Sequence, residues 1–175
     1  MFEESLLKDA SFNLSVAQSI NGKSAVESDI CLTETGGFLI WVQQSFKGDR
    51  ICARAFDNTG FSDILDWSSV GGIEYQPTID VLPNGSILGV HVARRANGYQ
   101  LIARTLSGDV LSEEIIVYEN TEGIFRPRFI IAEATIWLVF EVSKDNSTQL
   151  MMISCDLDNL RLWAKASAVS TVSSW

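Results

Sequence analysis

The chain has 175 residues, 46% of them hydrophobic, which supplies core for one domain and too little for two comfortable ones. With 13 Lys and Arg against 22 Asp and Glu, its formal net charge of -9 repels phosphate backbones and anionic headgroups, so neither nucleic acid nor a membrane is an expected partner. Met1 to Ala10 carry Glu3 and Glu4 and no apolar stretch of signal-peptide length, and no later run approaches the roughly 20 apolar residues of a spanning helix, so a cytoplasmic protein is predicted.

Along the chain, short apolar and β-branched runs alternate with Gly, Asn and Asp, the pattern of strands joined by tight turns. The first run, from Phe12 to Val16 and followed by Asn21 and Gly22, lies in a leading strand segment, 11–25. It matches Phe61 to Leu65 followed by Gly71 and Gly72, so the chain reads as starting on the last strand of a preceding unit. Strands at 28–33, 37–42, 50–56 and 64–67 then form an antiparallel meander, with turns at 34–36, 47–49 and 57–60.

That block recurs, and a period of 48 to 50 residues points to stacked repeats. Pro77 and Pro127 lie 50 apart, each preceded two positions earlier by an aromatic, Tyr75 or Phe125. Ala53 and Arg54 return as Ala103 and Arg104, and the pairs Trp41/Trp137 and Trp67/Trp163 are both 96 apart. The single domain, 1–175, thus divides into repeat units 26–72, 73–122 and 123–170, with the longer middle spacing assigned to extra residues in the hairpin from Arg94 to Gly98. In the third strand of each unit one face carries Ile51, Ala53 and Ala55, or Leu101, Ala103 and Thr105, and the other Cys52, Arg54 and Phe56, or Ile102, Arg104 and Leu106. Two largely apolar faces call for a sheet packed on both sides.

The run 37–61, an apolar strand with Trp41, a Gly turn, then Ile51, Arg54, Phe56, Asp57 and Gly60, resembles bacterial β-propeller repeats. The resemblance extends over nearly the whole chain and implies an all-β, propeller-like fold of three four-stranded antiparallel units, with the β-trefoil and β-prism as alternatives. Closed propellers hold about four to eight blades, so the resemblance also implies either a fragment of a longer protein or three blades that finish their ring by association, most simply as a homodimer. The fucose-binding propeller lectins are distantly similar, but Ala53 and Ala103 stand where an acidic sugar ligand would be wanted.

His91 is the only histidine, in a strand between Val90 and Val92, and reads as structural rather than catalytic; sites that need several histidines are excluded. Cys31, Cys52 and Cys155 are odd in number and lie in apolar runs, so reduced, buried thiols are expected, with a Cys31 to Cys52 disulfide as the alternative. Asp156, Leu157, Asp158 and Asn159 hold half of an oxygen-ligand loop without its Gly or closing acid and read as a turn, so no metal and no cofactor are expected. Arg54 and Arg104 occupy equivalent strand positions and need acceptors, either carbonyls of the scaffold or a bound sugar or acid. Tyr75, Phe125 and Arg126 precede strand-opening prolines, where blade loops gather, and complete the candidate ligand-binding set. A repeated scaffold without a catalytic constellation leads to the expectation of a non-enzymatic recognition module that binds a glycan or protein partner through blade-end loops, as an oligomer. A glycosidase-like hydrolase using acids from separate units is the alternative, and a structural assembly protein the third.

Overall fold

A computed structural model of the protein describes residues 24–69, 72–145 and 147–173. The predicted leading strand, 11–25, falls outside them apart from its last two positions. The first sheet comprises β1 (Ala25–Leu32), β2 (Gly36–Gln43) and β3 (Arg50–Asp57), with short β4 (Gly60–Phe61) and β5 (Leu65–Asp66) both paired to β3. The second comprises β6 (Ile73–Val81), β7 (Ile87–Arg95), β8 (Gly98–Ser107), short β9 (Val110–Leu111) and β10 (Ile115–Asn120). The third comprises β11 (Ile124–Ala132), β12 (Thr135–Lys144), β13 (Ser147–Asp156) and β14 (Ser167–Ser173). Every pairing is antiparallel, and each sheet is a meander packed on its neighbour through its faces, as propeller blades are rather than the units of a trefoil or prism.

In the first two blades the last strand is split by a serine. Ser62 Oγ accepts from Ala55 N at 3.0 Å, and Ser112 Oγ accepts from Thr105 N at 3.0 Å, so each hydroxyl takes a bond the ladder would otherwise supply. The blades meet in two cores. Ile40, Val42, Ile51, Ala53 and Trp67 of the first pack on Ile79, Ile87 and Leu106 of the second. Leu88, Val90, Val92, Leu101 and Ala103 of the second pack on Ile124, Leu138, Phe140 and Val142 of the third. Alternation along β7 therefore sends Val90 and Val92 toward the third blade and Gly89, His91 and Ala93 toward the first. At Gly89 a Cβ would stand 2.5 Å from Cζ2 of the wholly buried Trp67, so the glycine makes room for the indole.

Register corrects two details of the repeat. Asp29 faces Ile40, Thr78 faces Val90 and Arg128 faces Val139, which makes Trp41, His91 and Phe140 equivalent and makes Trp137 the equivalent of Phe38 and Leu88 instead. The Trp41/Trp137 spacing is thus a coincidence of composition. The additional residue of the middle blade sits in the β6–β7 hairpin: Asp80 faces Leu88 eight positions on, whereas Cys31 faces Phe38 and Ile130 faces Trp137 seven on. Between Arg94 and Gly98 the count matches the other blades, since Trp41/Cys52, His91/Ile102 and Phe140/Met151 are all eleven apart. Cys31 lies in the core between the first two blades, while Cys52 points to the opposite face of its sheet, and Cys31 is an unbridged thiol. Asp156 leads into a single 3-10 turn at Leu157–Asn159. Among the described residues no helix is long and apolar enough to cross a membrane.

Candidate functional site

The first strands of the three sheets, β1, β6 and β11, lie side by side and define the axis around which the blades are arranged. Each breaks its ladder at the same place. The register shifts between Val26 and Asp29, between Tyr75 and Thr78, and between Phe125 and Arg128, and the bulged residues Glu27, Gln76 and Arg126 have φ of 48°, 50° and 50°. Left-handed backbone costs a side-chain-bearing residue roughly 1–2 kcal/mol, so three in register mark a position the surroundings enforce. Pro77 and Pro127 follow two of them, where a missing N–H costs the ladder nothing.

The bulges are wired to one another across the blades. Gln76 N donates to Glu27 Oε2 at 2.7 Å, and Arg126 N donates to Gln76 Oε1 at 2.6 Å. One turn inward, Asp29 Oδ2 accepts from Thr78 Oγ1 at 2.8 Å and from Ile79 N at 3.2 Å, and Tyr75 OH donates to Ile124 O at 3.0 Å. Burial pushes the Tyr75 phenol far above its usual range, so it stays a neutral donor. Arg126 ends the row. It is largely exposed, and its Nη1 donates to Glu141 Oε2 at 2.8 Å. A carboxylate, an amide and a guanidinium thus stand in sequence at one end of the axis, with Glu141 beside the last.

A second polar cluster lies behind this row, between the first and second blades. Glu74 and His91 are wholly buried with Glu74 Oε2 and His91 Nε2 3.1 Å apart, yet neither atom has an aligned hydrogen-bond partner. Arg95 Nη1 holds Glu74 Oε1 at 2.6 Å, and its Nη2 lies 3.9 Å from Glu114, which accepts from Ser69 N at 2.8 Å. Burial alone would raise the Glu114 carboxyl; the Ser69 bond with His91 and Arg95 nearby outweighs it and holds the group below the ordinary carboxylate range.

Of the residues singled out from sequence, Tyr75 and Arg126 come together at the axis, and Phe125 packs beside them against Gly123. Arg54 and Arg104 do not join them. Arg54 Nε donates to Ser62 O at 2.8 Å with its guanidinium 5.0 Å from the Phe61 ring centroid. Arg104 Nε donates to Ser112 O at 2.8 Å, and Nη1 reaches the Trp67 carbonyl of the preceding blade. Both guanidiniums bond to scaffold carbonyls, and burial pulls that of Arg104 below its usual value. His91, read from the sequence as structural, is buried against the Glu74 carboxylate.

Solved structures place this architecture among known folds. The chain is similar to the endo-arabinase from Bacteroides thetaiotaomicron (TM-score 0.67, 10% identity, 89% of this chain and 66% of that one). It is similar to a polysaccharide lyase of the ulvan lyase type (TM-score 0.65, 12% identity, 86% and 43%) and to an α-L-arabinofuranosidase from Podospora anserina (TM-score 0.60, 11% identity, 90% and 55%). The blades are propeller blades. The chain spans between 43% and 66% of the length of these structures, and at these identities the likeness is one of fold. No protein-family model and no curated protein sequence matches it.

These neighbours correct the expectation of a non-enzymatic, lectin-like recognition module: the enzymes that share the fold cleave glycans. That expectation rests on the lack of a catalytic constellation in sequence, and polar residues brought together from first strands 49 and 50 residues apart leave no local motif. Glu27, Asp29 and Gln76 form no sequence motif for that reason. The available signal was Gln76-Pro77 recurring as Arg126-Pro127, a proline placed where a bulge tolerates it.

Proposed function

We propose that the chain supplies three consecutive blades of a glycan-cleaving enzyme, a hydrolase, whose substrate crosses the end of the axis at Glu27, Gln76 and Arg126. The observation that carries this reading is the in-register row of left-handed bulges, which spends backbone strain to aim three different polar groups across one line. Glycoside hydrolysis needs two carboxyl groups on either side of the scissile bond. Glu27, whose Oε2 accepts from the N–H of Gln76, suits the role of base or nucleophile, and Glu141 is the second carboxylate at the row, on the Arg126 side. Asp29, with its outer oxygen occupied by Thr78 and Ile79, positions β1 against β6. The fold shared with arabinan-cleaving and arabinofuranose-releasing enzymes supports the same class of chemistry.

The test is incubation of the protein with arabinan, arabinoxylan, cello-oligosaccharides and an acidic ulvan-type polymer, following new reducing ends and, separately, the ultraviolet absorbance of unsaturated uronates. Reducing ends without unsaturation are expected, with a loss of about 100-fold or more in Glu27→Gln. Unsaturated products would replace hydrolysis by elimination, and cleavage undiminished in both Glu27→Gln and Glu141→Gln would refute the axial assignment.

A further inference from the structure

The same end of the second blade carries an open cavity of about 500 Å³, lined by Arg95, Asn97, Tyr99, Gln100, Glu119 and Thr121. Its shape follows from the hairpin between β7 and β8. Gly98, with φ of 132°, lies so close to β10 that a Cβ would meet the Asn120 carbonyl at 2.6 Å, so the hairpin tip and the end of β10 close two walls of one hollow. Asn120 Oδ1 caps the turn behind it by accepting from Glu122 N at 2.7 Å and Gly123 N at 3.2 Å. The volume lies within the usual range for small-molecule sites.

Of the charged residues on the lining, Arg95 is paired, while Glu119 meets a neutral amide and keeps its negative charge at the cavity. Arg95 is turned inward to Glu74 at 2.6 Å and to Glu114 at 3.9 Å, and Glu119 accepts from Gln100 Nε2 at 2.7 Å. What is left for a ligand is a set of amide and hydroxyl donors and acceptors beside the Tyr99 ring, whose other neighbours are Arg94, 5.9 Å from the ring centroid, and the core between the second and third blades. Such a surface suits a polyhydroxylated, uncharged molecule, because Arg95, the cation on the lining, is already engaged and the Glu119 charge disfavours an acidic ligand. Its location is equally telling. The start of β6, the end of β7 and the ends of β8 and β10 all meet here, as Ile73 faces Arg94 and Asn120 faces Tyr99. The cavity therefore opens on the end that carries the axial row, two to three strand spacings from β6, or about 10–14 Å.

We propose that this cavity is a subsite for an uncharged sugar residue of the glycan whose cleavage point lies on the axial row, and that it selects neutral chains over uronate-bearing or sulfated ones. The assignment rests on the glycan-cleaving reading of that row. Gels containing arabinan, arabinoxylan or polygalacturonate, run with the purified protein, measure affinity by retardation. The neutral polymers are expected to retard the parent, and Asn97→Ala and Gln100→Ala, both on surface positions that leave the core intact, to weaken that retardation about tenfold each. Equal or stronger retardation by polygalacturonate, no retardation by either neutral polymer, or unchanged affinity in both variants overturns the subsite. Cleavage assays on the same proteins separate the two claims: retardation that depends on Gln100 without any cleavage leaves the subsite standing and removes the axial reading, whereas cleavage of long chains indifferent to Asn97 and Gln100 does the reverse.

Discussion

Glu74→Gln tests the charged joint between the first and second blades. The carboxylate is wholly buried, holds Arg95 Nη1 at 2.6 Å and faces His91 Nε2 at 3.1 Å. Removing one member of a buried ion pair costs about 3–5 kcal/mol, because the other is left without its counter-charge. Arg95 keeps 24% of its side chain exposed and has Glu114 3.9 Å away, so the lower end of that range applies, about 3 kcal/mol. In a chain of this size 1 kcal/mol moves the thermal midpoint by about 2–4 °C, which predicts a fall of about 6–12 °C. With a urea slope near 2 kcal/mol/M, the denaturation midpoint falls by about 1.5 M. Far-ultraviolet circular dichroism and the fluorescence of buried Trp67, which packs at the same joint, report the transition. Glu114→Gln, a change at a partly exposed site, is the control and costs less than about 1 kcal/mol. A Glu74→Gln midpoint within about 1 °C of the parent would refute the claim that this carboxylate holds the joint.

Three further outcomes follow from particular contacts. Gly89→Ala drives a methyl to 2.5 Å from Trp67 Cζ2 and is expected to destabilise by about 1–3 kcal/mol in urea unfolding; Gly89 is not left-handed, so this loss is steric, whereas Gly85→Ala, with no atom within 4 Å, meets only the backbone strain of its φ of 81°. The Glu114 carboxyl is depressed in the fold, so its contribution is present above the ordinary Glu value of about 4.3 and is lost as pH falls through the lower folded value; the stability gap between parent and Glu114→Gln should be open at pH 7 and closed in acid. Burial, with Asp80 and Asp29 adding to it, pushes the Cys31 thiol up to about 11, so alkylation at pH 8 read by peptide mass spectrometry should modify Cys31 only as fast as the native state opens, and rapid labelling would place it outside the core.

How far the fold was legible depended on which residues repeat. Arg54 and Arg104 recur at a true equivalent position, because each spans to the carbonyl of Ser62 or Ser112 eight residues on and so needs the same local geometry. Pro77 and Pro127 recur because a bulge in the first strand tolerates them. Tryptophans misled, since Trp41 and Trp137 sit on opposite faces of their blades and only the count between them is regular. The axial site was illegible for a different reason. Its members share a backbone conformation, not a residue type, and a positive φ at Glu, Gln and Arg has no signature in composition. The joint at Glu74 and His91 was hidden as well, because the residues that pair there come from β6, β7 and the loop before β10, brought together only by the meander.

The divergence of side chains on a constant backbone also explains why a repeated scaffold does not give repeated sites. Trp41, His91 and Phe140 occupy one position in three blades and are respectively an indole, an imidazole against a carboxylate, and a core ring. Ile153 stands where Arg54 and Arg104 stand, because Leu39, Gly89 and Leu138 are equivalent and face them in turn. At the axis the same rule produces polarity: Glu27 accepts from the next blade, Gln76 both donates and accepts, and Arg126 receives nothing further and offers only donors. Three equal pockets, as a repeated recognition surface requires, would present the same group three times. A row acidic at one end and basic at the other instead gives a ligand lying across it a different partner at each step.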